Sequence, residues 1–317
     1  MATQVKDVQP TVAAATPSEP LGLFRHHRIL VGVDDQEPAH WACETATRLA
    51  AQFECDLALL HAVPWLPMEP ESDWLNKVDS PALRAGNRFV NDWPVAMPAD
   101  RKIERFVREG DAARQLVNEA ALWHADLVVV GTHGRRGLKR MMLGSVASAV
   151  VKGAPCPVLC ISRPPARTLG RRILVPMDYD EMSPWALEWA SRLAGQTGGE
   201  LMLFHSVIVP APVDPVYGIV AGNMLDNMRL TARDFLEGHR PAVPESSRVT
   251  RSVALGTPGR EITKIARDWR ADLIVMGTHG RGMFTRCLLG GVTEHVLRHA
   301  DCPVVCIRRD PDPVMCP

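Results

Sequence analysis

Two stretches of the chain carry the residue types that handle phosphate. "GTHGRRGLKRMMLGS" runs from Gly131 to Ser145, and "GTHGRGMFTRCLLGG" runs from Gly277 to Gly291, 146 residues further on. The glycines hold the same three places in both: Gly131, Gly134 and Gly144, then Gly277, Gly280 and Gly290. A residue without a Cβ lets the backbone take positive φ and a ligand approach closely, as Gly134 and Gly280 would, and successive N–H groups then form a nest for an anion. The pair Gly144-Ser145 precedes "VASAVVKG", which predicts a helix whose first amides, with the serine hydroxyl, point at whatever occupies its N-terminus. Glycines also end strands, turn loops and cap helices with no ligand present, so the spacing alone allows a phosphate cradle or a turn.

Other side chains near the first loop read either way. Arg135, Arg136, Lys139 and Arg140 could reach β- and γ-phosphates or form a solvated surface cluster, and His133 and His279 could touch a ligand or fill the turn. His61 and His205 lie inside apolar runs and read as satisfied core histidines; Trp185 and Trp189, at helical spacing, read as core. Of the eight cysteines, "CPVLC" (Cys156, Cys160) recurs as "CPVVC" (Cys302, Cys306). Four thiols suffice for zinc, but CxxxC in a β-branched run puts both on one strand face, and that favours buried, reduced thiols over a metal site.

The elements that must position these residues also come in two copies. "RILVGVDD" (28–35) pairs with "RILVPMDY" (172–179), "DLALLHAV" (56–63) with "ELMLFHSV" (200–207), and "ADLVVVGTHGR" (125–135) with "ADLIVMGTHGR" (271–281). "APCPVLCI" (154–161) pairs with "ADCPVVCI" (300–307), and the offset moves only from 144 to 146. A period this long means two whole domains rather than solenoid units. Within each copy, short apolar β-branched runs alternate with amphipathic stretches, the pattern of buried parallel strands joined by crossover helices. Strands are expected near 28–33, 56–63, 102–107, 126–131 and 157–161. Helices are expected at about 38–52, beside Pro38, and 112–123, with Asp111 as N-cap; Ser183 before Pro184 and Thr257 before Pro258 repeat these starts. The proline-rich segments 64–100 and 209–247 are expected to hold a loop plus one helix each. The chain divides into a tail (1–24), a first domain (25–163), a linker (164–170) within "SRPPARTLG", a second domain (171–309) and a short tail (310–317).

Composition narrows the function classes. The 317 residues carry 36 basic and 36 acidic side chains, so no global field draws in nucleic acid or an anionic membrane. No apolar run approaches the roughly 18 residues of a membrane span, and the first twenty residues lack the pattern of a targeting peptide. A cytoplasmic protein is the expectation.

The motif G-x2-G-x9-G-[ST], here Gly131, Gly134, Gly144 and Ser145, follows "ADLVVVGTHG" and is preceded by "ILVGVD". In both copies, over nearly their full length, the chain resembles the universal stress protein family. That resemblance implies an α/β class: two Rossmann-like (adenine nucleotide alpha hydrolase-like) doubly wound domains, each with a five-stranded parallel sheet. It also implies ATP as ligand, alone or with Mg²⁺, because the family's subset with this motif binds it. Carried over residue by residue, Gly131, Gly134, Gly144, Ser145 and Val146 would hold ribose and phosphates, with Val33, Asp34 and Val63 at the adenosine end. The matching second-copy positions are Met177, Asp178, Val207, Gly277, Gly280, Gly290, Gly291 and Val292, and here Gly291 stands where the family has serine or threonine. The second copy is therefore expected to bind more weakly or to be structural. The family also commonly pairs domains through their last strands, which implies an intramolecular pseudo-dimer here, and a homodimer of the whole chain as a further possibility.

Catalysis has little support in the sequence. No GxxxxGK[ST] is present and no GxGxxG follows either first strand, which removes the P-loop and the usual dinucleotide fingerprint. Nor is there an HxGH or an SGGxDS. The leading expectation is an ATP-binding stress-response or regulatory protein, against a nucleotide-free interaction scaffold or a slow ATPase.

Overall fold

The computed structural model describes residues 23–65, 80–132, 143–164, 169–180, 182–209, 218–278 and 289–308. In the first copy β1 (Arg28–Gly32), α1 (Glu37–Gln52), β2 (Asp56–Val63), α2 (Pro81–Asn91), β3 (Ile103–Glu109), α3 (Ala112–Leu122), β4 (Leu127–Gly131), α4 (Ser145–Gly153) and β5 (Val158–Ile161) follow one another. The second copy repeats the order with β6 (Arg172–Pro176), α5 (Met182–Thr197), β7 (Glu200–Val207), α6 (Gly218–Gly238), β8 (Val249–Leu255), α7 (Pro258–Asp268), β9 (Leu273–Gly277), α8 (Gly291–His299) and β10 (Val304–Ile307). The expected strand and helix alternation is present in both.

Each set of five strands is parallel, in the order β3-β2-β1-β4-β5 and its counterpart β8-β7-β6-β9-β10. β5 and β10 then pair antiparallel, with Leu159 opposite Val305, so one ten-stranded sheet runs through the molecule. Strand side chains alternate between two apolar layers. Ile29, Val31, Leu57, Leu59, Val129 and their second-copy counterparts pack under α1, α2, α5 and α6. Leu30, Leu60, Val128, Val130 and Cys160 pack under α3, α4, α7 and α8 on the opposite face. α1 buries Ala39, Ala42, Cys43, Ala46, Leu49 and Ala50, a three-and-four spacing that presents small residues to the sheet.

A carboxylate ties the entry of each copy to its fourth strand. Asp126 accepts from the backbone N–H groups of Arg25, His26 and Arg28 at 2.9, 2.9 and 3.1 Å. Asp272 accepts likewise from Gly170, Arg171 and Arg172 at 2.9, 3.0 and 2.9 Å. Leu23, Phe24 and Leu169, just ahead of these entries, are buried against the core. Residues 1–22, 165–168 and 309–317 lie outside the described residues.

Two expectations are corrected, and a third holds in position without a side-chain bond. Ser183 does not cap a helix: α5 starts at Met182, Asp180 accepts from the N–H groups of Met182 (2.8 Å) and Ser183 (3.2 Å), and the serine hydroxyl donates to Asp178 instead. Thr257 occupies the N-cap of α7 but makes no side-chain cap bond, unlike Asp111, which accepts from Arg114 N–H at 2.9 Å. Trp185 is 49 % exposed, because the helical period that buries Ala186 and Ala190 turns it outward; Trp189 is partly buried against the core.

Candidate functional site

In an open parallel sheet the crevice lies beyond the carboxyl ends of the strands, where the strand order reverses. Here that point falls between β1 and β4, and between β6 and β9. In the first copy a cavity of about 400 Å³ opens there. It is bordered by Val33 and Asp34 after β1, His61 on β2, Gly131 closing β4, and Gly144, Ser145 and Val146 at the start of α4. The second copy has a cavity of about 1050 Å³ at the same place, bordered by Met177, Asp178, Val207, Gly277, Gly290, Gly291 and Val292. Val63 does not border the first cavity: it is buried, and its carbonyl accepts from Gly110 N–H at 2.9 Å. Gly134 and Gly280 lie outside the described residues, as do His133, His279, Arg135, Arg136, Lys139 and Arg140.

Gly131 has an architectural reason to be glycine. A Cβ built on it would lie 2.8 Å from the backbone carbon of Pro38, and one on Gly277 would lie 2.7 Å from Met182 Cβ. The end of the fourth strand thus needs a bare backbone to meet the first turn of α1 or α5. Both ends of the glycine loop are also pinned together: Gly144 N–H donates to the Thr132 carbonyl at 2.6 Å, and Gly290 N–H to that of Thr278 at 3.0 Å. Gly144 and Gly290 are the N-caps of α4 and α8. The amides that follow them, on Ser145 and Val146 or Gly291 and Val292, have no helical acceptor by position and face the cavity. This is the arrangement that attracts a phosphate.

The two sites differ in chemistry at both ends. At the helix end, Ser145 gives way to Gly291; a Cβ there would meet nothing within 4 Å, so no crowding demands the glycine. The first turn of α4 has no acidic residue, whereas α8 carries Glu294. At the opposite end, Asp34 accepts from Gln36 N–H at 3.0 Å. Asp178 accepts from the Ser183 hydroxyl at 2.7 Å and stands beside a second carboxyl, Asp180, that the first copy lacks. Burial, with the hydrogen bond and charge of Asp178, pushes Asp180 up to about 6.

His61 Nδ1 bonds the Val33 carbonyl at 2.9 Å and His205 Nδ1 that of Met177 at 2.7 Å, so each ring is held at a cavity wall by the turn beneath it. A carbonyl only accepts, so Nδ1 carries the proton. The cysteine repeat lies elsewhere, at the β5–β10 seam. The Cys160–Cys306 hydrogen bond and burial raise the Cys306 thiol well above its ordinary range, and burial pushes Cys302 up to about 12. Among the described residues no group of three or more His, Cys, Asp or Glu side chains is disposed to hold a metal ion, and no helix is long and apolar enough to cross a membrane.

Sequence reasoning missed the turns after β3 and β8. Gly110 and Gly256 take φ of 121° and 149°, and Gly110, Asp111 and Ala112 border the first cavity. The signal was present in "EGD" and "LGT", which fall in register between the copies.

Comparison with known proteins bears on the whole chain. The profile described as the universal stress protein family matches residues 25–162 and again 170–308. A universal stress protein of Mycobacterium tuberculosis is 30% identical over 303 residues, which cover 90% of this chain and 98% of that protein. One from Mycolicibacterium smegmatis is 27% identical over 290 residues, covering 88% and 96%. The crystal structure of a universal stress protein from Archaeoglobus fulgidus is similar in fold, with a TM-score of 0.60 at 19% identity, over 90% of this chain and 100% of that one.

Proposed function

Because the chain belongs to the universal stress protein family, we propose that it binds ATP in the first-copy cavity and acts as a nucleotide-dependent stress-response regulator in the cytoplasm. The observation that carries this reading is the start of α4, where free amides and the Ser145 hydroxyl border a cavity that also reaches Asp34. The polyphosphate lies at that helix terminus, and Val33 and Asp34 face the adenosine end. A cavity of about 400 Å³ falls in the size range of small-molecule sites. Mg²⁺, when present, rides on the phosphates and neutralises their charge. The residues of the chain bind and orient the nucleotide, and slow turnover or none is the reading for ATP held there.

The second copy binds the same nucleotide less tightly, since Gly291 offers no hydroxyl and Asp180 puts a carboxyl where the first copy has Gln36. The domains run from 25 to 163 and from 171 to 309. The antiparallel β5–β10 pairing supports reading them as a pseudo-dimer within one chain, with a homodimer of whole chains as a further level of assembly. Nucleotide released by heating the purified protein, and isothermal titration with ATP, test the reading. One tight site per chain is expected; absence of bound nucleotide and of any titration heat would replace it with a nucleotide-free scaffold, and two equal sites would remove the asymmetry.

A further inference from the structure

The second-copy cavity is more than twice the volume of the first, although the strands beneath repeat in order and register. Helix α6 borders it, whereas no described residue of α2 borders the first. Arg105 Nε donates to the Val90 carbonyl at 3.1 Å, and Arg251 Nε to that of Leu236 at 2.9 Å, which fixes α2 and α6 in one register. That register sets Ala232 where α2 has Gly86. A Cβ on Gly86 would lie 2.8 Å from Cγ1 of both Val63 and Val107, so only a glycine lets α2 sit flush on β2 and β3. Ala232, buried at 1 % exposure, brings a methyl group to the same contact. The ring pairs agree: His61 and Phe89 are 4.5 Å apart, His205 and Phe235 5.6 Å.

The wall so exposed has its own chemistry. Met224, Asn227, Met228 and Thr231 follow the i, i+3, i+4, i+7 spacing of one helix face and all border the cavity. Around its mouth Ile208, Met224 and Tyr179 are 65 %, 53 % and 41 % exposed, an apolar collar that the described part of α2 lacks. Methionine thioethers are flexible and polarisable, and they fit irregular apolar shapes. The polar ends of the cavity, Gly291 without its hydroxyl and the Asp178–Asp180 carboxyl pair, are poor seats for a polyanion.

We propose that the second-copy cavity is a binding site for an uncharged, largely apolar small molecule, seated against the methionine face of α6. The chain then reads two ligand classes: a nucleotide in the first copy and an apolar effector in the second. The proposal stands on the cavity and is independent of nucleotide binding in the first copy.

The full-length protein titrated with N-phenyl-1-naphthylamine, an uncharged fluorophore, tests it. Saturable enhancement at one probe per chain, unchanged by ATP at concentrations that fill only the tight first site, is expected. Met228→Glu puts a charge on the apolar wall and weakens probe binding about tenfold or more, while Met228→Leu keeps it. Ala232→Gly lets α6 settle on the sheet and lowers affinity without touching the mouth. Circular dichroism and thermal melting confirm that each variant folds. Absence of saturable binding, displacement of the probe by ATP at concentrations that fill only the first site, or equal affinity in folded Met228→Glu would each overturn the proposal.

Discussion

Ser145 and Gly291 occupy the same first position of equivalent helices, and their difference is chemical rather than steric. Ser145→Ala removes one hydroxyl donor to a charged ligand and is expected to weaken ATP binding by about 1–3 kcal/mol with the melting temperature unchanged. Gly291→Ser, with open space around the new Cβ, leaves stability unaltered and tightens the second site; titration calorimetry of the two variants checks both. Unaltered affinity in Ser145→Ala would remove the hydroxyl from the site. Asp180 supplies a pH signature. Its carboxyl titrates near 6 in the folded chain against an ordinary 3.8, so the native state binds the proton more tightly than the unfolded one. The stability this group contributes is present in full below about pH 4 and is lost as pH rises through 6. Asp180→Asn should therefore narrow the difference in thermal midpoint between pH 5 and pH 7, and an unchanged difference would refute the carboxyl's role.

At the scale of elements, helix starts decide how the turns around each site are held. Asp111 caps α3 with a bond to Arg114 N–H, and Asp111→Ala is expected to cost about 1 kcal/mol of unfolding free energy in urea titrations. Thr257, at the matching start of α7, makes no such bond, so Thr257→Ala should cost clearly less; equal losses would mean the side-chain bond is not what stabilises the start. The Asp111 cap was legible because Asp before an amphipathic run has one strong local use. The Ser183 cap was misread because Asp180 reaches the same amides from further back, and a serine near a carboxylate has a competing acceptor. Trp185 was misread because helical spacing names a stripe without saying which stripe faces the sheet.

Across the whole molecule, the β5–β10 seam joins two five-stranded sheets, and Cys160, Cys302 and Cys306 are buried beside it while Cys156 is only partly buried. Burial shields a thiol from reagent, and one held above its ordinary pKa, as Cys302 and Cys306 are, also offers little thiolate. Cys160, Cys302 and Cys306 should therefore resist a disulfide reagent in the native protein and react only as the seam unfolds, with both events following one denaturant transition. Rapid native labelling of Cys306 would show that the seam opens.

The sequence by itself determined the duplication, the alternation of strands and helices, and the glycine spacing, because each is written in local pattern: β-branched runs, three-and-four periodicity, and a long repeat in register. It also located the lost hydroxyl at Gly291. Tertiary structure alone decided why Gly131 must be glycine, since the Pro38 backbone that crowds it comes from a different element. It decided that Val63 lies outside the lining of the first cavity and that Leu23, Phe24 and Leu169 belong to the core. Above all it decided that the copy without the serine has the larger cavity, because α6 contributes a wall to it that no described residue of α2 contributes to the first, and which helix lines a crevice is settled only by packing.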